Sequence, residues 1–474
     1  MHRRLFAVLT VAVLFAAACS EDPDVNSTAD DAGTDTTDDD SADGGTADDS
    51  TADDSTGNDN ADDGTGDDST DEPQGDGTSI VERLAGEEWF LGTIPDLPVA
   101  ADPSLEPIKI GMINQENSPA GSFPELRFAA EAAINWINAE LGGVDGRPLE
   151  LYPCITEFSP ESSQACAQEL VLEEVVALVG GLDVLIHGAL PVLEENGLPI
   201  VGGIPAGLAE QRSPSAFAFS GGTAGGMAAF MKHAADQGYE KAFIAYGDFD
   251  SFQVAVEEYG AKVGESLGLE VRTNNFPLFG ADYTRVLNDA KAFGAEAVVI
   301  NAADAACVPV MKGFRDLGFE GTLYMFGACA AEEIIGAADG ANIGVIFNSE
   351  GPPAQDDTEG EIFDLASNKY NTGNAQAAGT VAFRGMMNLY AVLQELGGEN
   401  ITSAGIVEIL ENAVDRESFW GHNYTCDGEQ VPGLPSLCAP QQTLMTIEGD
   451  SQDDLIFLTD WIDTVTLFHD ALAD

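Results

Sequence analysis

The sequence predicts an α/β chain whose folded part divides into two lobes, each a parallel sheet covered by helices. Three observations carry this. From Ile108 onward, short β-rich apolar runs alternate with longer amphipathic ones, the pattern that builds parallel sheets with helices on both faces. About ten such units follow one another, too many for one compact sheet. The chain has 474 residues, and roughly 390 remain beyond residue 79, enough for two ordinary domains.

The first 79 residues read differently. Arg3 and Arg4 precede an apolar run, Leu5 to Phe15, and the small residues Ala16, Ala17 and Ala18 stand before Cys19. A basic start, an apolar stretch of this length and a small-residue cleavage site read as a secretory signal peptide over residues 1–18. A cysteine directly after that site resembles a bacterial lipoprotein signal. The resemblance implies diacylglycerol on the Cys19 thiol, hence an exported protein lipid-anchored on the outer face of the cytoplasmic membrane; two acyl chains hold a protein there stably. Residues 19–79 are then a tether, almost entirely Asp, Thr, Ser, Ala and Gly from Ser20 to Thr78. Such a composition buries too little apolar surface to offset chain entropy, and its like charges keep it extended.

The folded part follows in order. Residues 80–106, with Trp89 and Phe90, precede the first strand and are expected to lie as a strap on the first lobe. Ile108–Ile113 is a short β-rich run. Pro124–Leu141 carries Leu126, Ala129, Ala130, Ala133, Ile134, Ile137 and Leu141 at helical spacing, and Gly142 and Gly143 stop it. Val175–Val179 and Leu198–Val201 read as buried strands. Met227–Gln237 reads as a helix, Ala242–Tyr246 as a strand and Val254–Leu267 as a helix. Then come helix Tyr283–Phe293, strand Ala297–Ile300, helix Val308–Leu317 and strands Leu323–Phe326 and Ile343–Phe347. Glu359–Tyr370, Ala375–Leu396 and Ser403–Ala413 are helical. Leu444–Asp463 returns to short apolar runs, expected as strands added to a sheet already built.

Charge and cysteines narrow the class. The formal net charge is −64, which argues against nucleic acid as a partner. Beyond the signal segment no apolar stretch is long enough to span a bilayer. Of seven cysteines, Cys19 is the odd one. The other six are Cys154, Cys166, Cys307, Cys329, Cys426 and Cys438, and six cysteines allow 15 pairings. Pairing between sequence neighbours would close three short loops, suited to an exported protein. Zinc would want closely spaced cysteines or nearby histidines, and neither is present. No cofactor or metal is expected.

Between Ile108 and Leu151 the chain reads IKIGMI, a loop, a long helix ending AINWINAELGG, and VDGRPLEL entering the next strand. This resembles the leucine/isoleucine/valine-binding proteins of bacterial ABC importers, which are type I periplasmic binding proteins. The likeness continues through VVALVGG, GLPIVGG, YEKAFIAYGDFDSF, ADYTRVLNDAKAFGAEAVVINA and VMKGFRDLGFEGTLYMFG. It implies two Rossmann-like lobes joined by three hinge crossovers, near Phe219–Gly222, Phe347–Pro352 and within Asp415–Pro440. Lobe 1 would hold 107–220 and 352–415, and lobe 2 would hold 221–347 and 440–463. It further implies a monomer that captures a small molecule between its lobes and delivers it to an ABC permease, with no chemistry on the ligand.

The same resemblance locates the ligand loops, and here the chain departs from its relatives. In those proteins small and hydroxyl residues after the third and fourth strands hold the ligand carboxylate. Here those loops read Leu182-Asp183-Val184 and Ile204-Pro205-Ala206, without hydroxyls and with an acid that repels anions. The relatives place an acid after the strand matching Leu323–Phe326; here that loop is Gly327-Ala328-Cys329, with no acid until Glu332. The first lobe offers Gln115, Glu116, Asn117, Asp183, Val184, Pro205 and Ala206, with His187 a surface residue. The second offers Phe249, Asp250, Ser251, Phe252, Asp304 and Ala328. Two aromatics flanked by polar groups suit a partly apolar ligand held by a few hydrogen bonds. Gln115–Asn117 and Asp304 also stand where helix-capping residues would. A Cys307–Cys329 bond would join a helix start to the loop after the next strand, at the cleft mouth. An enzyme is disfavoured: the histidines are scattered and no nucleophile elbow, metalloprotease or phosphate-binding motif is present. A cell-surface ligand sensor on the same fold is the alternative to transport.

Overall fold

In the computed structural model, residues 78–116, 118, 121–353, 357–370, 373–375 and 378–473 are described; the signal segment, Cys19 and residues 20–77 lie outside the described residues. The first helix, α1 (Ile80–Arg83), has a reciprocal cap: Ser79 accepts from the Glu82 amide and Glu82 accepts from the Ser79 amide. A short antiparallel pair follows, β1 (Glu88–Trp89) and β2 (Gly92–Thr93). This segment is a strap on the first lobe. Ile80, Val81, Leu84 and Ile94 enter that lobe's core, and Trp89 packs edge-on against Trp136. The Val81 amide donates to Glu140 at 2.9 Å and the Phe90 amide to Glu359 at 2.9 Å. At the start of the strap, Lys369 Nζ donates to the Thr78 carbonyl and Ser79 caps α1.

The first sheet is built from β3 (Ile108–Gln115), α2 (Pro124–Glu140), β4 (Leu149–Thr156), α3 (Pro160–Leu172), β5 (Ala177–Val179), α4 (Leu190–Glu195), β6 (Ile200–Val201), α5 (Leu208–Gln211) and β7 (Ala216–Phe217). Its five strands run parallel in the order β4-β3-β5-β6-β7. The order reverses at β3, so a crevice opens outside the carboxyl ends of β3 and β5, where open α/β sheets take ligands. The two Val-Gly-Gly turns of the sequence end β5 and β6 and touch through their backbones. A Cβ on Gly180 would come 2.0 Å from the Gly202 carbonyl oxygen, so only glycine fits.

The second sheet follows: α6 (Gly222–Asp236), β8 (Lys241–Gly247), α7 (Asp250–Val254), α8 (Ala261–Ser266), β9 (Glu270–Phe276), α9 (Tyr283–Phe293), β10 (Ala297–Asn301), α10 (Cys307–Asp316), β11 (Thr322–Met325), α11 (Glu332–Ala338) and β12 (Ile346–Ser349). The chain then returns to the first core with α12 (Thr358–Tyr370), α13 (Gly379–Leu396) and α14 (Ser403–Glu411). Last come β13 (Thr443–Ile447), β14 (Leu455–Phe457) and α15 (Thr464–Leu472). The order is β14-β13-β12-β11-β10-β8-β9, with all strands pointing one way except β13, which pairs antiparallel with both β12 and β14. The chain therefore passes between the sheets three times: after β7, after β12 and before β13.

Several elements differ from expectation. The helix read over Val254–Leu267 starts at Asp250 and contains a π-helical stretch at Ala255–Gly260 between α7 and α8. The strand read at Ile343–Phe347 is β12, three residues later, because Gly344 sits at φ +82° and Ile343 is turned outward. The helix read from Ala375 begins at Gly379. The runs in Leu444–Asp463 do return to the second sheet as β13 and β14, and beyond them α15 packs against α8. Disulfides join the cysteines in neighbour order, Cys154–Cys166, Cys307–Cys329 and Cys426–Cys438, with Cα separations of 5.5, 5.4 and 4.6 Å. Among the described residues no helix is long and apolar enough to cross a membrane.

Candidate functional site

The residues singled out from the sequence fall at the carboxyl ends of strands in both sheets. Gln115 closes β3 and is fully buried; its Nε2 donates to the Gly121 carbonyl, and its Oε1 has no protein partner. Glu116 is bound by Arg127, Nε to Oε1 at 2.8 Å and Nη2 to Oε2 at 3.1 Å, and also accepts from Asn114. Glu116 in turn raises the Arg127 pKa further, so its charge is neutralised inside the lobe. Neither Gln115 nor Glu116 caps the following helix: α2 starts at Pro124 after Phe123, with no side-chain cap. Asn117 lies outside the described residues.

Asp183 corrects the expectation of an acid aimed at the ligand. It follows β5 and is 1% exposed. One oxygen accepts from Ser163 Oγ in the first turn of α3, the other from the Leu185 amide at 3.0 Å. Burial raises its pKa, and these donors oppose the rise. Its carboxylate fastens the β5 loop to α3. Val184 is half-buried beside it. Pro205 is buried, its carbonyl accepting from Gln211 Nε2 at 2.7 Å, and Ala206 is half-buried.

In the second lobe Phe249 and Phe252 stand at the start of α7, edge to face with centroids 5.5 Å apart, both half-buried. Asp250 is exposed, and Ser251 is buried with no partner for its Oγ. Asp304 opens a single 3-10 turn ahead of α10 and is not its N-cap, which is Ala306. Ala328 is exposed next to Cys329, whose bond to Cys307 ties the β11 loop to the start of α10. The two sets approach each other: α5, which follows Pro205–Ala206, packs against α7.

Two participants were not legible beforehand. Asn301 ends β10, is 3% exposed and leaves Nδ2 without a protein partner. Glu210, on α5, is buried with Oε2 unpaired, and burial together with the Asp183 charge raises its pKa well above the ordinary value. A polar residue directly after the predicted buried strand Ala297–Ile300 could have drawn attention to Asn301. Nothing in Leu-Ala-Glu-Gln-Arg distinguishes Glu210 from a solvated helix acid. Among the described residues no cluster of His, Cys, Asp and Glu could hold a metal ion.

Residues 107–432 match the sequence profile of a family described as periplasmic binding protein. The chain belongs to that family. Periplasmic binding proteins serve transporters and are not an enzyme family. This periplasmic binding protein is 23% identical over 312 residues to the Leu/Ile/Val-binding protein homolog 6 of Brucella suis, covering 62% of this chain and 77% of that one. Its fold is shared with the fatty acid ABC transporter substrate-binding protein from Thermomonospora curvata, at 14% identity and TM-score 0.64, over 78% of this chain and 95% of that one. It is shared as well with an R. palustris solute-binding protein solved with 4-hydroxybenzoate, at 18% identity and TM-score 0.60, over 75% and 96%. The profile begins at Pro107, so the strap lies outside the family's matched region.

Proposed function

We propose that this periplasmic binding protein captures a small, partly apolar solute between its lobes and delivers it to an ABC permease, and that the solute is not a free α-amino acid. One observation carries the reading. The crevice loops combine half-buried apolar groups, Val184, Ala206, Phe249 and Phe252, with buried polar atoms that lack protein partners, Gln115 Oε1, Ser251 Oγ and Asn301 Nδ2. Buried polar atoms normally find partners, and a ligand offering a few donors and acceptors on an apolar body supplies them. Two acids predicted to face the ligand in the first lobe, Glu116 and Asp183, are spent on internal donors. The solute-binding relatives with aromatic and fatty acid names are in keeping with such a ligand. In the same reading Cys19 carries the lipid anchor, residues 20–77 are the tether, and the protein acts as a monomer.

The test is a thermal-shift screen of the purified chain against branched amino acids, aromatic acids, medium-chain fatty acids, amides and polyols. A ligand at a hundredfold excess over its dissociation constant stabilises the folded state by about 2.7 kcal/mol. A shift with an aromatic or aliphatic compound lacking the α-amino group is the expected result. A shift with leucine or valine alone would overturn the ligand assignment, and silence across the panel would overturn capture of this solute class.

A further inference from the structure

The three passes between the sheets converge on one carboxylate. Glu350 lies just after β12, on the second pass. Its Oε1 accepts from Ser220 Oγ at 2.6 Å and the Gly221 amide at 3.1 Å, both on the first pass, and from Gln442 Nε2 at 3.2 Å, on the third. Its Oε2 faces Arg384 Nη1 at 3.9 Å. Arg384 belongs to α13 of the first lobe, is 3% exposed, and also donates to the Phe219 carbonyl on the first pass. The passes are packed too closely to part independently: a Cβ on Gly221 would lie 2.6 Å from the Pro440 carbonyl oxygen. The first and third passes also exchange backbone bonds, Ala218 N to Ser436 O and Cys438 N to Ala218 O.

The bonds continue into the second lobe. Gln442 Oε1 accepts from Asn348 Nδ2 at 2.7 Å, and Asn348 Oδ1 accepts from the Gly327 amide at 2.9 Å. Gly327 opens the β11 loop that carries Ala328 and Cys329. A run of side-chain bonds thus leads from the hinge carboxylate to a ligand-side loop, and Gln442 and Asn348 are both buried along it.

We infer that Glu350 is a positioning residue of the hinge, locking the three passes into a single pivot and setting the β11 loop through Gln442 and Asn348. Ordinary hinges absorb rotation in a few backbone torsions per strand. Here the passes share one acceptor, so they turn together and the lobes swing along one path. The inference stands on the connectivity of the fold and holds whatever solute the crevice takes.

The test uses the full chain in detergent, with fluorophores on azido-amino acids at Leu172 and Phe279, which are 82% and 55% exposed on the first and second lobes. Single-molecule energy transfer then reports the lobe-to-lobe distance, and hydrogen exchange reports the Gly327 amide. Glu350→Ala is expected to broaden the distance distribution and to speed Gly327 exchange by about tenfold or more, with strand-centre amides of β8 and β10 unchanged. Glu350→Gln, which retains an acceptor oxygen, is expected to keep most of the wild-type distribution. A folded Glu350→Ala protein with an unaltered distribution and unaltered Gly327 exchange overturns the inference. If that variant does not fold, Gln442→Ala removes the third pass and releases Asn348, and it is judged by the same two outcomes.

Discussion

Glu210 places a carboxyl group in the interior with Oε2 bonded to nothing. An unpaired buried charge costs more than an unpaired neutral acid, so the proton is kept well above the usual range, and the Asp183 charge acts in the same direction. Over a window opening near the unfolded value of about 4.3, the folded chain holds a proton that the unfolded chain has released. The stability this group contributes is intact below the window and is lost as pH rises through it. Glu210→Gln removes the ionisation and keeps the shape. Its Tm should exceed that of the wild type by about 2 °C near pH 8 and converge with it under acid conditions; a constant offset across pH would refute the assignment. Asp183 shows what was readable at this scale and what was not. Its place in a crevice loop follows from the order of strands in the sequence. The capture of its oxygens by Ser163 and the Leu185 amide depends on where the first turn of α3 lands against β5, which no local pattern encodes.

Elements with a strong period were legible nearly to the residue, as with α9, β10 and α10, because burial on one face and a stop glycine act locally, whereas the strand β9 was not read at all. The two-residue strands β6 and β7 exist only through their neighbours in the sheet, and β12 was displaced by a glycine turn. The π-helical stretch after α7 has no sequence signal; it occurs where Tyr246 donates to Glu257 and Tyr259 donates to the Pro432 carbonyl at 2.7 Å. Covalent ties also belong to this scale. The Cys307–Cys329 bond closes a loop of 22 residues across the crevice side of the second lobe. Replacing both cysteines with serine should cost about 3 kcal/mol by loop-entropy reasoning and weaken binding of any screened ligand. Unchanged Tm and affinity would mean that the bond does not stiffen the loop.

The whole molecule carries 82 Asp and Glu against 18 Lys and Arg. Self-repulsion of this size opposes compaction and is screened by salt. Raising sodium chloride from about 0.05 to 1 M should lift Tm by on the order of 5 °C, and a flat response would show that the acids are already neutralised by bound cations. The two-lobed plan was legible because strand–helix units outnumbered what one sheet can take. The resemblance gave a crossover at Phe347–Pro352, but the meeting of the three passes at Glu350 was not legible, since its donors Ser220 and Gln442 are distant in sequence. The strap has a further consequence. Its anchors, Glu140, Trp136, Glu359, Phe419 and Lys369, all belong to one side of the molecule. A pull arriving through Thr78 is therefore taken up by that side alone, which becomes the door frame, while the other side is left to move as the door.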